Sequence, residues 1–235
     1  MNRYHNPPVD LDDISALLAR QALFKRVDRA ALRGLAANVH MLRVPRRELL
    51  VKSGQCINEI YVVVDGTLKL YLLAQNGQQR VIRLLQEGAG FGEELLINQM
   101  PSPLYAEALT NCQVLAIPAP DLFDLLSSQR QMAMDMVQLL SGKIQQLMGD
   151  LEGCCLQSSV QRIAQYLYGL NDHNHQANNQ IQLPASKAVI ASLLNLTPET
   201  LSRGFHQLAE AQLIAIDRRQ VRLLDPEGLK AVFTG

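Results

Sequence analysis

Residues 186–224 read SKAVIASLLNLTPETLSRGFHQLAEAQLIAIDRRQVRLL, and the organisation of the whole chain follows from them. Thr197 suits an N-cap, Pro198 suits the first helical position, and Glu199 places a carboxylate in the first turn, where the helix dipole favours it. A helix is therefore predicted to begin here. At about 100° per residue, Leu201, Gly204, Phe205 and Leu208 fall on one side of it, while Glu199, Ser202, Arg203 and His206 fall on the other. One side reads as core and the other as free to touch something. Residues 187–194 read as a short apolar helix capped by Ser186, and Asn195-Leu196-Thr197 as a tight connection between the two helices. Residues 213–216 and 221–224 are β-type runs joined by Asp217-Arg218-Arg219-Gln220, a hairpin with two cations at its tip.

This is the pattern of a helix-turn-helix followed by a two-stranded wing. Any amphipathic helix has a polar side, so the pattern alone does not establish a ligand. The residue types carry more. The first turns of the second helix of such a motif enter the major groove. There a carboxylate can accept from cytosine N4 and a guanidinium can bond guanine O6 and N7. Thr197, Glu199, Ser202, Arg203 and His206 are the candidate groove contacts, and Arg218 and Arg219 the candidate phosphate contacts.

The 235 residues, 48% of them hydrophobic, suffice for one large or two modest domains with cores of their own. No apolar run is long enough to span a bilayer, and the N-terminal MNRYHNPPVD lacks the apolar segment of a signal peptide, so a cytoplasmic protein with no membrane partner is expected. The 22 cations balance 22 anions, which does not favour a general nucleic-acid coat. Within residues 186–224, however, Lys187, Arg203, Arg218, Arg219 and Arg222 outnumber Glu199, Glu210 and Asp217. Such a weakly basic surface suits a site-selective dimer on double-stranded DNA.

Upstream, residues 12–20 and 28–40 read as two short helices with Leu17, Leu18, Leu32 and Leu35 inward, helical character ending at Val44-Pro45. Residues 48–118 change to short β-type runs: LLV, EIYVVV, TLKLYLL, RVIRLL, YAEAL and CQVLAI. They are separated by the turn signals Ser53-Gly54, Asp65-Gly66, Asn76-Gly77 and Glu87-Gly88, which is the signature of a jelly roll or barrel. A long helix is expected from near Pro120 to about Leu156. In it Ala133, Val137, Leu140, Ile144, Leu147, Leu151 and Cys154 alternate spacings of four and three, a seam better matched to a partner helix than to the chain's own barrel. A homodimer is expected from it. Gly142, Gly149 and Gly153 weaken this helix by up to ~1 kcal/mol each. Ser159 caps a further helix over residues 160–170, residues 171–180 read as a polar loop, and residues 181–183 as a strand. The expected domains are 1–118, N-terminal helices and effector-sensing β-barrel; 119–157, dimerisation helix and hinge; and 158–235, winged helix-turn-helix.

This α+β order of parts resembles the Crp/Fnr superfamily of bacterial transcription regulators over nearly the whole chain. EIYVVVDGTLKLY matches the first barrel hairpin, GAGFGEELL the glycine-rich turn, QRIAQYL the segment after the hinge, and TPETLSR the recognition helix. The resemblance implies a cyclic-nucleotide-binding-type jelly roll, a palindromic site of TTGAT-like half-sites, and RNA polymerase as a partner. In the Fnr-like branch the recognition helix carries ExxSR, and Glu199, Ser202 and Arg203 stand at those positions.

The effector is where the sequence departs from its relatives. The cyclic-AMP receptor branch holds the cyclic phosphate with an Arg-Ser pair beyond the glycine-rich turn and the base with a Thr-Ser pair on the dimer helix. Here the first region reads NQMPSPLYAEA, without an Arg, and the helix positions fall on Leu147 and Met148. A buried phosphate without a cation is poorly compensated, which disfavours cyclic AMP. The iron-sulfur branch needs N-terminal cysteines, whereas the first here is Cys56, inside the barrel, so that cluster is disfavoured too. The Dnr-type regulators, which share PETxSR, are associated with haem and nitric oxide. By that resemblance Glu93, Leu95, Leu96, Leu147 and Met148 form a candidate effector pocket, with haem as a candidate occupant; an ordinary core has the same apolar look.

Other chemistry is thinly represented. The histidines are at 5, 40, 173, 175 and 206, leaving none within the barrel for the metal site of a cupin-type enzyme. His173 and His175 lie in a polar stretch and read as solvated; His5 and His40 are haem ligands only in that a haem needs an axial ligand. Neither GxSxG nor GxxxxGK occurs, and no catalytic or metal-binding set is assigned. Cys154 and Cys155 read either as small apolar residues or as an intersubunit redox pair. A cysteine-based redox regulator, a barrel enzyme with a helical tail, and an interaction protein with a degenerate helix-turn-helix remain the alternatives.

Overall fold

The computed structural model describes residues 10–174 and 179–234, leaving aside the side chains of 173 and 174. The chain divides into two compact units, one ending at Ile144 and the other beginning at Gln145.

The first unit opens with α1 (Leu11–Ala19), a 3-10 turn (Ala22–Phe24) and α2 (Arg29–Ala36). Asp10 and Asp28 cap the two helices by accepting from backbone N–H groups, and Leu18, Leu32 and Leu35 point into the core as expected. Eight strands follow: β1 (His40–Val44), β2 (Leu49–Val51), β3 (Glu59–Asp65), β4 (Leu68–Leu73), β5 (Gln79–Leu85), β6 (Gly90–Phe91), β7 (Tyr105–Ala108) and β8 (Cys112–Pro118), with α3 (Glu93–Asn98) between the sixth and seventh. They form two antiparallel four-stranded sheets, in the orders β1-β8-β3-β6 and β2-β7-β4-β5. Val63, Ile117 and Leu115 of one sheet and Leu68 and Leu85 of the other are fully buried in one apolar cluster, so the unit is the expected jelly roll. All four turn glycines, Gly54, Gly66, Gly77 and Gly88, have φ between 81° and 91°.

Three local expectations are corrected. Residues 40–44 are not the tail of a helix. They pair with β8 from His40↔Ala116 to Val44↔Cys112, which satisfies the backbone groups along that side of β8 and buries Met41, Leu42 and Val44. The GAGFGEELL stretch is more than a turn, since it holds β6 and α3. Gly92 between them has φ 108°, and a Cβ there would lie 2.9 Å from the Ile57 side chain and 3.3 Å from the Glu59 carbonyl, so only glycine fits. Finally, the expected single helix from Pro120 is two, α4 (Ala119–Ser128) and α5 (Arg130–Leu156). Gln129 between them is extended (φ −120°, ψ 94°), and the Ser128 hydroxyl donates back to the Asp124 carbonyl at 2.8 Å, competing with the helix at its end.

The second unit contains the end of α5, α6 (Ser159–Asn174), β9 (Gln180–Gln182), α7 (Lys187–Leu193), α8 (Pro198–Glu210), β10 (Ile214–Asp217), β11 (Gln220–Leu223) and α9 (Pro226–Thr234). Helix α6 runs on through residues 171–174, where a loop is expected from their polar composition. Strand β9 joins the predicted wing hairpin as a third strand, in the order β10-β11-β9. Helix α9 packs on α6, the Phe233 ring lying edge-on to Tyr168 with centroids 5.7 Å apart. Among the described residues no helix is long and apolar enough to cross a membrane.

Candidate functional site

The two helices of the motif begin as their caps dictate. Ser186 accepts from the Val189 N–H at the start of α7, and Thr197 Oγ1 accepts from the Thr200 N–H at 3.2 Å at the start of α8. Between them Asn195 takes a left-handed conformation (φ 57°), and the Leu196 N–H donates to the Ala191 carbonyl at 2.8 Å, closing the turn. Arg162 of α6 reaches this turn and donates Nη1 to the Leu194 carbonyl at 2.7 Å. Nothing local in the QRIAQYL segment announces this reach. Leu201, Gly204, Phe205 and Leu208 are buried, as the periodicity requires. Gly204 lies so close to Ile163 of α6 that an added Cβ would collide with the isoleucine Cδ1.

The opposite face of α8 is open: Thr197, Glu199, Ser202, Arg203 and His206 are all exposed. The Glu199 carboxyl is held below its ordinary range by a hydrogen bond from its own backbone N–H, then by the Thr197 hydroxyl and the nearby Arg203 charge, so it is a pure acceptor at neutral pH. The Arg203 guanidinium donates to Thr200 Oγ1 at 3.4 Å, which leaves other donors of its fork free. His206 Nε2 sits 3.3 Å from Glu210, one turn on. The hairpin loop is two residues long, Arg218 and Arg219, because Asp217 pairs with Gln220. Arg218 is exposed at φ 53°, whereas Arg219 donates Nη2 to the Leu183 carbonyl at 2.8 Å and ties the loop to the end of β9.

Along α5, Val137 and Ile144 in the first unit and Leu147 and Leu151 in the second are between 52% and 64% exposed, and Cys154 is exposed. Leu140 differs: it is half-buried against the jelly-roll core. An apolar stripe of this extent on a helix is unusual on a solvated surface.

The candidate pocket residues separate by environment. Leu95, Leu96 and Glu93 are buried, whereas Leu147 and Met148 are exposed. Glu93 forms an ion pair with Lys143 of α5, which the sequence did not reveal because fifty positions separate them. Two cavities of the jelly roll bear on the effector. The smaller, ≈ 80 Å³, is lined by Leu70, Phe91, Leu95, Ser102 and Pro103, with Glu94 as its one charged residue. Among its described lining a phosphate would meet this carboxylate and no cation, Lys143 standing 3.8 Å from Glu94 without lining the cavity, an unfavourable site for a cyclic nucleotide. The larger, ≈ 230 Å³, includes Gln21, Phe24, Tyr61, Arg83, Leu139 and Lys143. Both fall below the roughly 300–1,000 Å³ of pockets for drug-sized ligands. Among the described residues neither is lined by a His, Cys or Met. Of their tyrosines, Tyr61 donates its hydroxyl to Glu59 at 3.1 Å and Tyr105 stacks on Tyr71. A haem needs an axial ligand from this set of residue types, and the described lining of the two cavities offers none that is free for it.

Among the described residues no three His, Cys, Asp or Glu gather as a metal site. His5 and His175 lie outside the described residues, as does the side chain of His173.

Compared with known protein families, residues 41–129 match the cyclic nucleotide-binding domain and residues 161–232 the Crp-like helix-turn-helix domain. The chain is 31% identical to the probable transcriptional regulator flp of Lacticaseibacillus casei, over 88% of this chain and 94% of that one. It is 29% identical to the transcriptional activator protein Anr of Pseudomonas protegens, over 80% of this chain and 78% of that one. Among solved structures, FixK2 of Bradyrhizobium japonicum shares the fold with a TM-score of 0.77 at 21% identity, covering 84% of this chain and 98% of FixK2.

Proposed function

Because the chain belongs to the Crp/Fnr family of transcription regulators, we propose that it binds a palindromic DNA site as a homodimer, with two copies of α8 in successive major grooves. The barrel-enzyme alternative falls with the family assignment. The observation that carries the proposal is the division of α8: one face is wholly buried and the other presents an anionic Glu199, Ser202 and a partly free Arg203 at its N-terminal end. This is the end that enters the groove, and these groups match cytosine N4 and guanine O6 and N7. TTGAT-like half-sites follow from the ExxSR pattern shared with the Fnr-like branch.

The exposed stripe on α5 supports the dimer. Buried against its symmetry mate, it would remove Val137, Ile144, Leu147 and Leu151 from water. The name of the Anr relative favours activation, in which the bound dimer would contact RNA polymerase. The jelly roll is the sensing part, and the chemistry of its cavities favours neither cyclic AMP nor haem as effector. The proposal is tested by sedimentation of the protein alone and with a duplex carrying two TTGAT-like half-sites about one helical turn apart. The expected species are a dimer and a complex of two chains per duplex. A monomer that binds a single half-site as tightly as the palindrome overturns it.

A further inference from the structure

The larger jelly-roll cavity contains an arginine that packing does not explain. Arg83 of β5 pairs opposite Leu70 of β4, and cross-strand partners project from the same side of a sheet. Leu70 and Leu85, which share that side with Arg83, are buried in the core. The arginine is thus on the inward side of the roll at a half-buried position, where its charge is only partly solvated. Its guanidinium nevertheless has no hydrogen-bond or ion-pair partner among the described residues. Of the other charged residues described in the cavity, Glu93 pairs with Lys143, which also stands 3.8 Å from Glu94, so Arg83 is the charged group of this wall that no ion pair engages. Gln21 supplies the second unmet need. It is 7% exposed, and its amide nitrogen donates to the Leu17 carbonyl at 3.2 Å. Its buried oxygen accepts nothing, so that bond fixes the amide's orientation.

We propose that this cavity binds a small monocarboxylate bearing a hydroxyl on the neighbouring carbon. Arg83 takes the carboxylate, for which its fork is the matching shape, and Gln21 Oε1 accepts from the hydroxyl. Phe24 and Leu139 supply apolar wall for a short carbon chain. Leu139 and Lys143 belong to α5, so an occupant touches the helix whose exposed stripe we assign to the dimer. That the occupant is the regulator's effector rests on the function proposed above; that the cavity binds it does not.

The competing explanation is that Arg83 guards an open sheet edge, since β5 ends its sheet and inward charges discourage edge-to-edge pairing. Calorimetric titration of the full-length protein without DNA separates the two, with lactate, propionate and cyclic AMP as probes. Lactate is expected to bind saturably, and propionate, which lacks the hydroxyl, about tenfold more weakly. Arg83→Gln should weaken lactate by at least about tenfold and Arg83→Lys by less, while Gln21→Leu should bring lactate down to the level of propionate. Folding of each variant is checked by its thermal melt, and Arg83→Lys keeps the test open if Arg83→Gln does not fold. The proposal is overturned if lactate does not saturate, if Arg83→Gln folds and binds it as wild type does, or if cyclic AMP binds more tightly and loses binding with Arg83. Palindrome binding, measured without carboxylate, is a separate readout. Its failure would remove the proposed function and leave the cavity, whereas failure of lactate would do the reverse.

Discussion

Arg162 in α6 holds the carbonyl of Leu194, 2.7 Å from its Nη1, and with a longer bond from the same nitrogen to the Asn195 carbonyl, at 3.4 Å, fixes the turn between the two helices of the DNA-binding motif. Leu194 is the last residue before a left-handed Asn195, so its carbonyl has no helical partner of its own to meet. Arg162→Ala should destabilise the second unit by about 1–3 kcal/mol, the range for losing a partly buried charge-assisted hydrogen bond. Chemical denaturation checks this. No loss of stability would mean that water replaces the guanidinium without cost.

Gly204 and Ile163 set how closely α8 approaches α6. Gly204→Ala places a methyl on the isoleucine Cδ1 and should cost about 1–3 kcal/mol by overpacking. Ile163→Val removes the colliding methyl, so the double variant should be less destabilised than the sum of the two single ones. Strict additivity in a double-mutant cycle would show that the two helices simply move apart.

Leu147→Glu tests the stripe on α5. In the single chain this side chain is 52% exposed, so the charge has little to disrupt within the protomer. At a dimer seam the same charge would be buried unpaired, at a cost of about 3–5 kcal/mol. The variant is therefore expected to melt much as wild type does at low concentration yet sediment as a monomer at micromolar concentration. Leu140 is a less clean site because it also packs on the jelly-roll core.

How much of this was legible in sequence follows the range of the interactions. The inward and outward faces of α8 could be read because its caps and its periodicity are local. The turn glycines were legible for the same reason. His40–Val44 was misread because five residues of mixed character fit a helix end or a strand equally well, and its partner β8 lies some seventy positions away. The ion pair of Glu93 with Lys143, the reach of Arg162 to Leu194 and the inward side chain of Arg83 all depend on elements distant in the chain, and no periodicity announces them. The polar residues of the motif could be named from sequence, but not that Arg219 would spend donors on Leu183.

Glu199 gives a pH prediction with a definite sign. Its carboxyl titrates below the ordinary value of 4.5, so the acceptor is fully present above that value and is lost only as the pH falls through the lowered one. Its contribution to site recognition should therefore be constant over about pH 5–8. Glu199→Gln, which turns one acceptor into a donor, should lower discrimination at the contacted cytosine by about 1–3 kcal/mol at every pH in that window. Fluorescence anisotropy on duplexes altered at that base pair checks it. A difference between wild type and Glu199→Gln that tracks pH between 8 and 5 would contradict it.

The central claim is that Arg203 reads a base while the wing touches only phosphate, and gel-shift titration of Arg203→Ala and Arg218→Ala on a TTGAT-type palindrome and on scrambled DNA tests it most directly. Arg203→Ala is expected to weaken the palindrome by about 1–3 kcal/mol more than the scrambled duplex, because a bidentate guanine contact carries sequence information. Arg218→Ala should weaken both alike and flatten the salt dependence by about one unit, because a phosphate contact carries none. Equal loss on both duplexes for Arg203→Ala would contradict the account, for it would place that arginine on the backbone and leave the recognition helix without its reader.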